Sequence, residues 1–523
     1  MTTAFIHDWA FSHADRGPEA PAIATPTDRL SYGDLALRVR AFAGHLTAAG
    51  VRPGDRVLVA LPNLPATVVA GLAIHAVGGV SAEVNRAWGP EVLEEIVARS
   101  GVRHAVVWGR DARAWGAVLS RRRLEHLWVV HPAALPLALT DALGFQSPFL
   151  LLEDGRLDPA LGDPPPFRAP HLRPEGPALI LYTSGSTGVP RGVVQTFRNV
   201  EANSRSIVQY LGLRSDDRAM LTLPLYYCYG RSVLQTHLLV GGSIFLDARF
   251  AFPRVVLEAI ATEGCTGFAG VPLTFEIIRR QVDVSSISFP RLRYLTQAGG
   301  AMAPDTIAWV RDVFRPARLF VMYGQTEATA RLSYLPPDEA ERKKGSIGVA
   351  IPGVELRVVD DVGREMPSGE VGFLVARGDN VTLGYLDEPE ETAAILHDGW
   401  LWTGDLARRD QEGFFFHEGR SKEILKVGGH RVSPVEIEQT LALHPEVADA
   451  AVVGLPHDLM GEVPVAFFVS RSGTAPEEED LRRFCQERLP PFKVPVRFTR
   501  LESLPRNEAG KLLRSQLTGR QRP

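Results

Sequence analysis

The residues best suited to chemistry form a glycine- and hydroxyl-rich run from Tyr182 to Gly192. Glycine lets a backbone approach a ligand closely, and backbone N–H groups, hydroxyls and one arginine together suit a phosphate. The candidate phosphate-binding residues are Thr183, Ser184, Gly185, Ser186, Thr187, Gly188 and Arg191. An ordinary polar turn is the alternative, but few turns need so many hydroxyls and glycines. The run lacks the Gly-Lys-Ser/Thr ending of a P-loop, which excludes a P-loop kinase or ATPase.

A second block, Tyr-Gly-Gln-Thr-Glu from Tyr323 to Glu327, directly follows an apolar strand. The carboxylate of Glu327 offers the hard oxygen ligand that Mg²⁺ prefers beside phosphates. Thr326 can donate to a phosphate oxygen, and the ring of Tyr323 offers a flat surface for a base. A solvated or paired carboxylate is the alternative for Glu327 taken alone.

Three further blocks carry charged residues beside glycines. Asp405, in Trp-Thr-Gly-Asp-Leu, can accept hydrogen bonds from both hydroxyls of a ribose, although an aspartate in a turn is the alternative. The charged stretch 419–431 contains paired glycines and lies where the texture of the sequence changes, which indicates a hinge. Lys511, near the end of the chain, is typical of a solvated surface lysine when it is seen alone.

The elements that must position these residues read as an α/β protein. Apolar strand-like runs alternate with helical periodicity, which predicts a large N-terminal domain of mostly parallel sheets covered by helices. Short strands after Gly345 predict a β-rich subdomain, and the chain restarts after Arg420 as a small mobile α+β unit. Ser433 is predicted to cap a helix, with Pro434 first and Glu436 reaching back. A chain of 523 residues exceeds one core, so we predict domains at 1–420 and 421–523.

Composition narrows the function classes. The net charge of −4 favours neither a nucleic-acid nor a polybasic membrane partner. Three distant cysteines without a CxxC pair favour a reducing compartment and no structural zinc site. The uncharged run 57–82 contains prolines, Asn63 and glycines, so it predicts a buried strand and a core helix instead of a membrane span. The start of the chain lacks an export signal, and we expect a cytoplasmic protein.

The five blocks, in this order and spacing, resemble the adenylate-forming acyl-CoA synthetase superfamily, which also contains carrier-protein adenylation enzymes and beetle luciferases. The resemblance runs from about Leu30 to Arg514. It implies that ATP and Mg²⁺ first convert a carboxylic acid to an acyl-adenylate, with release of pyrophosphate. The thiol of coenzyme A, or the phosphopantetheine of a carrier protein, then takes the acyl group and AMP leaves.

The resemblance also implies roles for individual residues. Lys511 would bridge the acid and the phosphate during adenylation, Glu327 would hold Mg²⁺, and Thr183 and Arg191 would complete the catalytic group. The residues expected around the nucleotide are Gly300, Ala301, Tyr323, Gly324, Thr326, Asp405, Arg420 and Arg431. Lys422 would be the hinge about which the C-terminal domain swings, and Gly428 and Gly429 would line the pantetheine channel.

The acyl pocket is expected to be formed by Tyr227, Tyr229, Arg231, Phe275, Gly299, Gly300 and Gln325. The segment 226–231 has no aspartate to hold an ammonium group, which disfavours an α-amino acid, and its tyrosines favour a modest, partly polar acyl or aryl group. Arg231 would pair either with a second carboxylate on the substrate or with an acidic group of the protein. Cys228 is expected to line the pocket without acting as a nucleophile.

Two residues depart from the family pattern: Arg191 stands where most relatives have lysine, and Tyr227 where many have histidine. They leave a catalytically silent nucleotide-binding or scaffold protein as an alternative to an acid–thiol ligase. Retention of the carboxylates at Glu327 and Asp405 and of the cations at Arg420 and Lys511 favours the enzyme. The identity of the acid and the oligomeric state do not follow from the sequence.

Overall fold

The computed structural model describes residues 5–111, 115, 118, 121, 124–131, 149–157, 163–183, 190–471, 476–506 and 512–518. The strands are β1 (Pro21–Ala24), β2 (Arg29–Ser31), β3 (Arg56–Ala60), β4 (Val80–Glu83), β5 (His104–Trp108), β6 (His126–His131), β7 (Phe149–Leu152), β8 (Pro177–Thr183), β9 (Arg191–Thr196), β10 (Arg218–Leu221), β11 (Ser243–Leu246), β12 (Gly267–Gly270), β13 (Tyr294–Gln297), β14 (Arg318–Tyr323), β15 (Ser333–Leu335), β16 (Ser346–Ala350), β17 (Val354–Val359), β18 (Val371–Gly378), β19 (Leu396–His397), β20 (Trp400–Arg409), β21 (Phe415–Arg420), β22 (Leu425–Val427), β23 (His430–Val432), β24 (Val447–His457), β25 (Gly461–Ser470) and β26 (Arg497–Leu501). The helices are α1 (Ile6–Arg16), α2 (Tyr32–Ala48), α3 (Pro65–Ala76), α4 (Pro90–Ser100), α5 (Phe197–Leu211), α6 (Cys228–Val240), α7 (Pro253–Thr262), α8 (Pro272–Gln281), α9 (Pro304–Val313), α10 (Pro389–Ala393), α11 (Pro434–Ala442), α12 (Glu478–Gln486) and α13 (Arg514–Thr518).

The largest sheet changes character along its length. Its strand order is β2-β1-β11-β10-β12-β13-β14-β15-β16-β21-β20-β18-β17, with β19 paired to β20. Strands β1, β11, β10, β12, β13 and β14 are parallel neighbours, whereas the pairings from β14 through β17 are antiparallel. The parallel half therefore brings the carboxyl ends of β13 and β14 together at one edge.

A second sheet has the order β7-β6-β5-β3-β4-β8-β9 and is parallel except for the last pair. A third sheet contains β23, β22, β25 and β24, with β26 parallel to β25. The largest apolar cluster contains side chains of both large sheets and of helices α1, α2, α3 and α6. The α/β class expected from the sequence is confirmed.

Helix starts follow from local side-chain chemistry. Ser31 caps α2 by accepting from the backbone N–H of Asp34, whose carboxylate accepts in return from Ser31. Ser433 caps α11 in the predicted way, at 3.3 Å from the backbone nitrogen of Glu436, and Pro434 is the first helical residue. The carboxylate of Glu436 does not reach back, because it pairs with Lys493 at 2.6 Å.

The uncharged run 57–82 forms β3, the fully buried helix α3 and most of β4, as the sequence indicates. In the part of the chain that the structure describes, no helix combines the length and the apolar character needed to span a bilayer. Cys265 and Cys485 are buried and Cys228 is half-buried, and all three are free thiols.

Candidate active site

A hydrogen-bonded trio lies where β14 ends beside β20 and β21. Tyr323, the last residue of β14, donates its hydroxyl to Oδ2 of Asp405 at 2.5 Å. Asp405 and Arg420 are register partners on β20 and β21, and the guanidinium Nε of Arg420 lies 2.7 Å from Oδ1 of Asp405. The strand register therefore brings together three residues that the sequence analysis assigned separately to one nucleotide.

The electrostatics keep the central carboxylate ionised. Asp405 is only 2% exposed, and burial alone would raise its pKa. The hydrogen bond from His417 and the charge of Arg420 outweigh burial, so the pKa of Asp405 lies below its usual value. Burial and the neighbouring Asp405 raise the pKa of Tyr323, which therefore remains a hydroxyl donor.

A second polar corner surrounds Glu327, which lies in the short 3₁₀ turn Thr326–Ala328 directly after β14. The hydroxyl of Tyr385 donates to Oε1 of Glu327 at 2.8 Å. Burial and the charge of Glu327 raise the pKa of Tyr385, so its proton stays available for this bond. No residue pattern around Tyr385 marks it in the sequence, and the contact spans 58 residues of chain.

Arg191 lies beside the same corner but already has acidic partners. Its guanidinium lies 5.5 Å from the ring centre of Tyr385, 3.3 Å from Glu388 and 2.8 Å from Glu391. No pattern in the sequence marks either glutamate. A phosphate would therefore have to compete with two carboxylates for this cation.

The predicted phosphate loop is a connection between paired antiparallel strands. Thr183 ends β8 and is the register partner of Arg191, which begins β9. Strands therefore lie on both sides of the loop. Five candidate phosphate-binding residues, Ser184, Gly185, Ser186, Thr187 and Gly188, lie outside the described residues.

Glycines bring the backbone of the two strand ends close to their neighbours. A side chain on Gly324 would place its Cβ 2.1 Å from the carbonyl oxygen of Ala330, so only glycine fits there. Gly299 has a φ of +89°, and the carbonyl of Gly300 accepts from Gln297 at 2.7 Å. Gly299, Gly300 and Ala301 follow β13, whereas Gly324 follows the neighbouring strand β14.

The predicted acyl-pocket residues separate into different environments. Tyr229 is buried and donates its hydroxyl to Oγ1 of Thr296 at 2.8 Å, whereas Tyr227 lies just before α6 and its ring centre is 4.7 Å from that of Tyr226. Phe275 is fully buried in the apolar cluster around α7 and α8. Gln325 is half-buried between Gly324 and the 3₁₀ turn.

Arg231 is paired with an acidic group of the protein. Its guanidinium contacts the carboxylate of Glu83 on β4, and its Nε donates to the carbonyl of Leu225 at 3.1 Å. The side chains of Arg231 and Glu83 are 5% and 2% exposed. Of the two partners considered for Arg231, the structure therefore shows the acidic group of the protein. Because Glu83 neutralises this arginine, Arg231 has no free charge for a substrate carboxylate.

The C-terminal candidates lie around the third sheet. Lys422 lies in the 3₁₀ turn Ser421–Glu423, between β21 and β22. Gly428 and Gly429 form the turn from β22 to β23 with φ of +54° and +85°, and Arg431 follows on β23. Lys511 lies outside the described residues.

Comparisons with known proteins agree over almost the whole chain. The model of the AMP-binding enzyme family matches residues 10–386, and that of the AMP-binding enzyme C-terminal domain matches residues 436–511. The chain is 33% identical over 508 residues to a sulfoacetate–CoA ligase of Cupriavidus necator, covering 96% of this chain and 95% of the relative.

A feruloyl-CoA synthase of an Amycolatopsis species is 32% identical over 522 residues, covering 99% of this chain and 100% of the relative. Among solved structures, ATP-bound MatB from Rhodopseudomonas palustris superposes with a TM-score of 0.88 at 28% identity, covering 99% and 98% of the two chains. The chain therefore belongs to the AMP-binding enzyme family, within the adenylate-forming acyl-CoA synthetase superfamily.

Proposed function

We propose that the residues described above carry out a two-step ligation at the shared edge of β13, β14 and β20. The protein is an AMP-forming acid–CoA ligase, like the relatives it matches. A carboxylate oxygen of the acid attacks the α-phosphate of ATP, and pyrophosphate leaves. The sulfur of coenzyme A then attacks the acyl carbon, the thiol proton is lost, and AMP leaves. CoA-ligase relatives do not favour a carrier protein as the acceptor.

The trio of Tyr323, Asp405 and Arg420 is the observation that carries this assignment. A buried, ionised carboxylate fixed between a hydroxyl donor and a guanidinium suits the two hydroxyls of a ribose, which donate to it. We infer that the nucleotide sugar binds at Asp405, with the base against Tyr323 and the loops at 299–301 and 324–326.

Glu327 fits a magnesium ion on the chemistry of its surroundings. Its carboxylate is half-buried at a strand end, and the hydroxyl of Tyr385 fixes one of its oxygens. Oxygen ligands of this kind, shared with phosphates, are what Mg²⁺ prefers. When bound, the ion neutralises negative charge on the phosphates that meet the acid. Tyr385 orients the carboxylate, and we infer that Thr183 and the loop after it hold the phosphates.

The C-terminal region is proposed to act as a separate mobile unit. We place its start after Arg420, at residue 421, with Lys422 as the hinge. Lys511 would reach the acid and the α-phosphate in one orientation. The glycine turn at 428–429, beside Arg431, would face the pantetheine arm in the other orientation.

An acid-dependent ATP–pyrophosphate exchange assay tests the proposal without knowledge of the final acceptor. We expect exchange with at least one acid from a panel of aryl, short fatty, dicarboxylic and amino acids, and a thioester when free coenzyme A is added. Exchange without thioester would favour a carrier protein. No exchange with any acid would favour the silent nucleotide-binding alternative. Asp405→Asn is the matched variant for the proposed ribose contact, because it keeps the shape of the side chain and removes the negative charge that accepts from the ribose hydroxyls.

A further inference from the structure

Arg331 is a buried arginine without an acidic partner among the described residues. It lies between the 3₁₀ turn at Thr326–Ala328 and β15, and it is 3% exposed. Its Nε donates to the sulfur of Met322 at 3.4 Å, and its Nη1 donates to the carbonyl of Ala330 at 3.2 Å. Its Cζ lies 4.2 Å from the ring centre of Tyr229.

These contacts leave most of the charge uncompensated. A guanidinium does not lose its proton in proteins, and a buried charge is costly unless it is paired. A thioether is a weak acceptor, and this sulfur also accepts from the hydroxyl of Tyr210 at 3.0 Å. The aromatic face of Tyr229 attracts the cation, but it carries no negative charge to neutralise the guanidinium as an ionic partner would. Arg231, at similar burial, has Glu83.

The position of Arg331 links it to the reacting centre. A small cavity of about 20 Å³ is bounded by α5, α6 and the parallel strands β10, β12, β13 and β14, and its lining includes Tyr229, Val233, Thr296, Met322 and Arg331. No aspartate or glutamate of the described chain lines it. Met322 directly precedes Tyr323, and Tyr229 follows Cys228, whose sulfur lies 3.5 Å from the hydroxyl of Thr326. The cavity therefore lies directly behind the proposed nucleotide corner.

We propose that Arg331 binds an anionic group at the far end of the acyl substrate, so that the preferred acids carry a second, unreactive anion. This inference rests on the proposed function, since it assigns the acyl end of the same site. A planar guanidinium matches a carboxylate or a sulfonate with two parallel hydrogen bonds. The anion would supply the partner that the protein does not, and the small cavity leaves room beside Arg331 for only the end of the acid.

Exchange of pyrophosphate with ATP, measured with acids matched in length, tests the inference. The set is butanoate, succinate and 3-sulfopropanoate, with propanoate and malonate as the shorter pair. We expect wild-type kcat/KM to be about 100-fold higher for the doubly anionic acids, because a site built to pair a polar group discriminates strongly against the analogue that lacks it. The succinate and sulfopropanoate arms separate the two anion types.

Three variants separate charge from shape. Arg331→Met should lose the preference for the doubly anionic acids and keep or gain activity with butanoate. Arg331→Lys keeps the charge without the planar fork and should retain a reduced preference. Val233→Ala, in the same cavity wall, is the uncharged control and should keep the order of preference among the acids. Gly299→Ala would not serve as a control, because alanine is strained at the positive φ of that position.

The outcomes are distinguishable. If wild type exchanges with butanoate as well as with succinate, or if Arg331→Met leaves the preference unchanged, the inference is wrong while the ligase function stands. If no acid supports exchange, the proposed function fails and the inference fails with it. Should Arg331→Met not fold, the melting temperature of wild type in ATP decides. A rise with succinate or 3-sulfopropanoate but not with butanoate supports the inference, and equal shifts overturn it.

Discussion

The buried pair of Arg231 and Glu83 makes a sharp prediction about stability. Removing one partner of a buried ion pair typically costs about 3–5 kcal/mol, because the other charge stays buried without compensation. Arg231→Met leaves the carboxylate of Glu83 buried without a cation, and Glu83 can lose its charge only by binding a proton. Burial raises the pKa of Glu83 already, with Arg231 offsetting part of that rise, and without the arginine the pKa rises further.

The ordinary pKa of the carboxyl sets the size of the effect. Keeping Glu83 protonated at pH 7 against its reference pKa of 4.5 costs about 3.4 kcal/mol, at about 1.36 kcal/mol per pH unit. The unfolded chain ionises above pH 4.5 while the folded variant keeps its proton, so the variant loses stability as the pH rises. The deficit of Arg231→Met relative to wild type should therefore narrow as the pH falls toward 5.

Glu83→Gln is the matched control, since the arginine that it strands cannot lose its proton. Its deficit should not narrow toward acid. The double variant Glu83→Met/Arg231→Met removes both charges and should recover most or all of the loss. Urea midpoints followed by tryptophan fluorescence at pH 5, 6, 7 and 8 measure all four proteins. The reasoning is refuted if Arg231→Met is as stable as wild type at pH 7, or if its deficit is flat with pH.

Other predictions concern chemistry and pH. Lys511→Ala should abolish acid-dependent pyrophosphate exchange yet retain thioester formation from a pre-made acyl-adenylate; equal loss of both steps in a quenched-flow assay would contradict the role. Glu327→Gln should raise the Mg²⁺ concentration for half-maximal exchange about 100-fold or more. Tyr385→Phe, which removes only the orienting hydroxyl, should raise it about tenfold, the lower end of the range for such outer contacts. Metal titrations that coincide with that of wild type would remove both residues from the site. Burial lowers the pKa of His75 from 6.5 to about 3. Below pH 6.5 the unfolded chain therefore binds a proton that the folded chain does not, and this group lowers the free energy of unfolding by about 1.4 kcal/mol for each unit by which the pH falls. His75→Gln should reduce the slope of the urea midpoint against pH, between pH 6 and 4.5, by the equivalent of about one proton, and an unchanged slope would contradict this.

Much of the fold could be predicted because periodicity and turn chemistry are local. The uncharged run 57–82 forms the buried strand and core helix that its pattern predicts, and the helix at Ser433 begins where its cap predicts. Grouping Tyr323 with Asp405 and Arg420 required the resemblance to a family, because strands far apart in sequence become neighbours only in the sheet.

Contacts between residues far apart in the chain could not be predicted from the sequence, for a physical reason. A hydroxyl such as that of Tyr385 acquires a role only through the carboxylate it contacts, and nothing in its neighbourhood encodes that contact. The predicted bond from the carboxylate of Glu436 back to the start of its helix is absent for the same reason. Lys493, which is distant in sequence, is a stronger partner for that carboxylate than a backbone N–H.

Three arginines near the site illustrate how partners, not residue type, determine a role. Arg231 is neutralised by an acid that is equally buried, so its charge serves the fold. Arg191 pairs with Glu388 and Glu391, whose side chains are 22% and 46% exposed, so water could solvate these carboxylates if Arg191 binds a phosphate as we propose. Arg331 is as buried as Arg231 yet has no acid of the described chain beside it, and a charge in that position is explained most simply by a partner that enters with the substrate. The sequence pattern suggests a phosphate for Arg191 and the acyl pocket for Arg231, and it does not mark Arg331. The identity and burial of their neighbours show a structural ion pair at Arg231 and support the phosphate contact and the recognition site that we propose for Arg191 and Arg331.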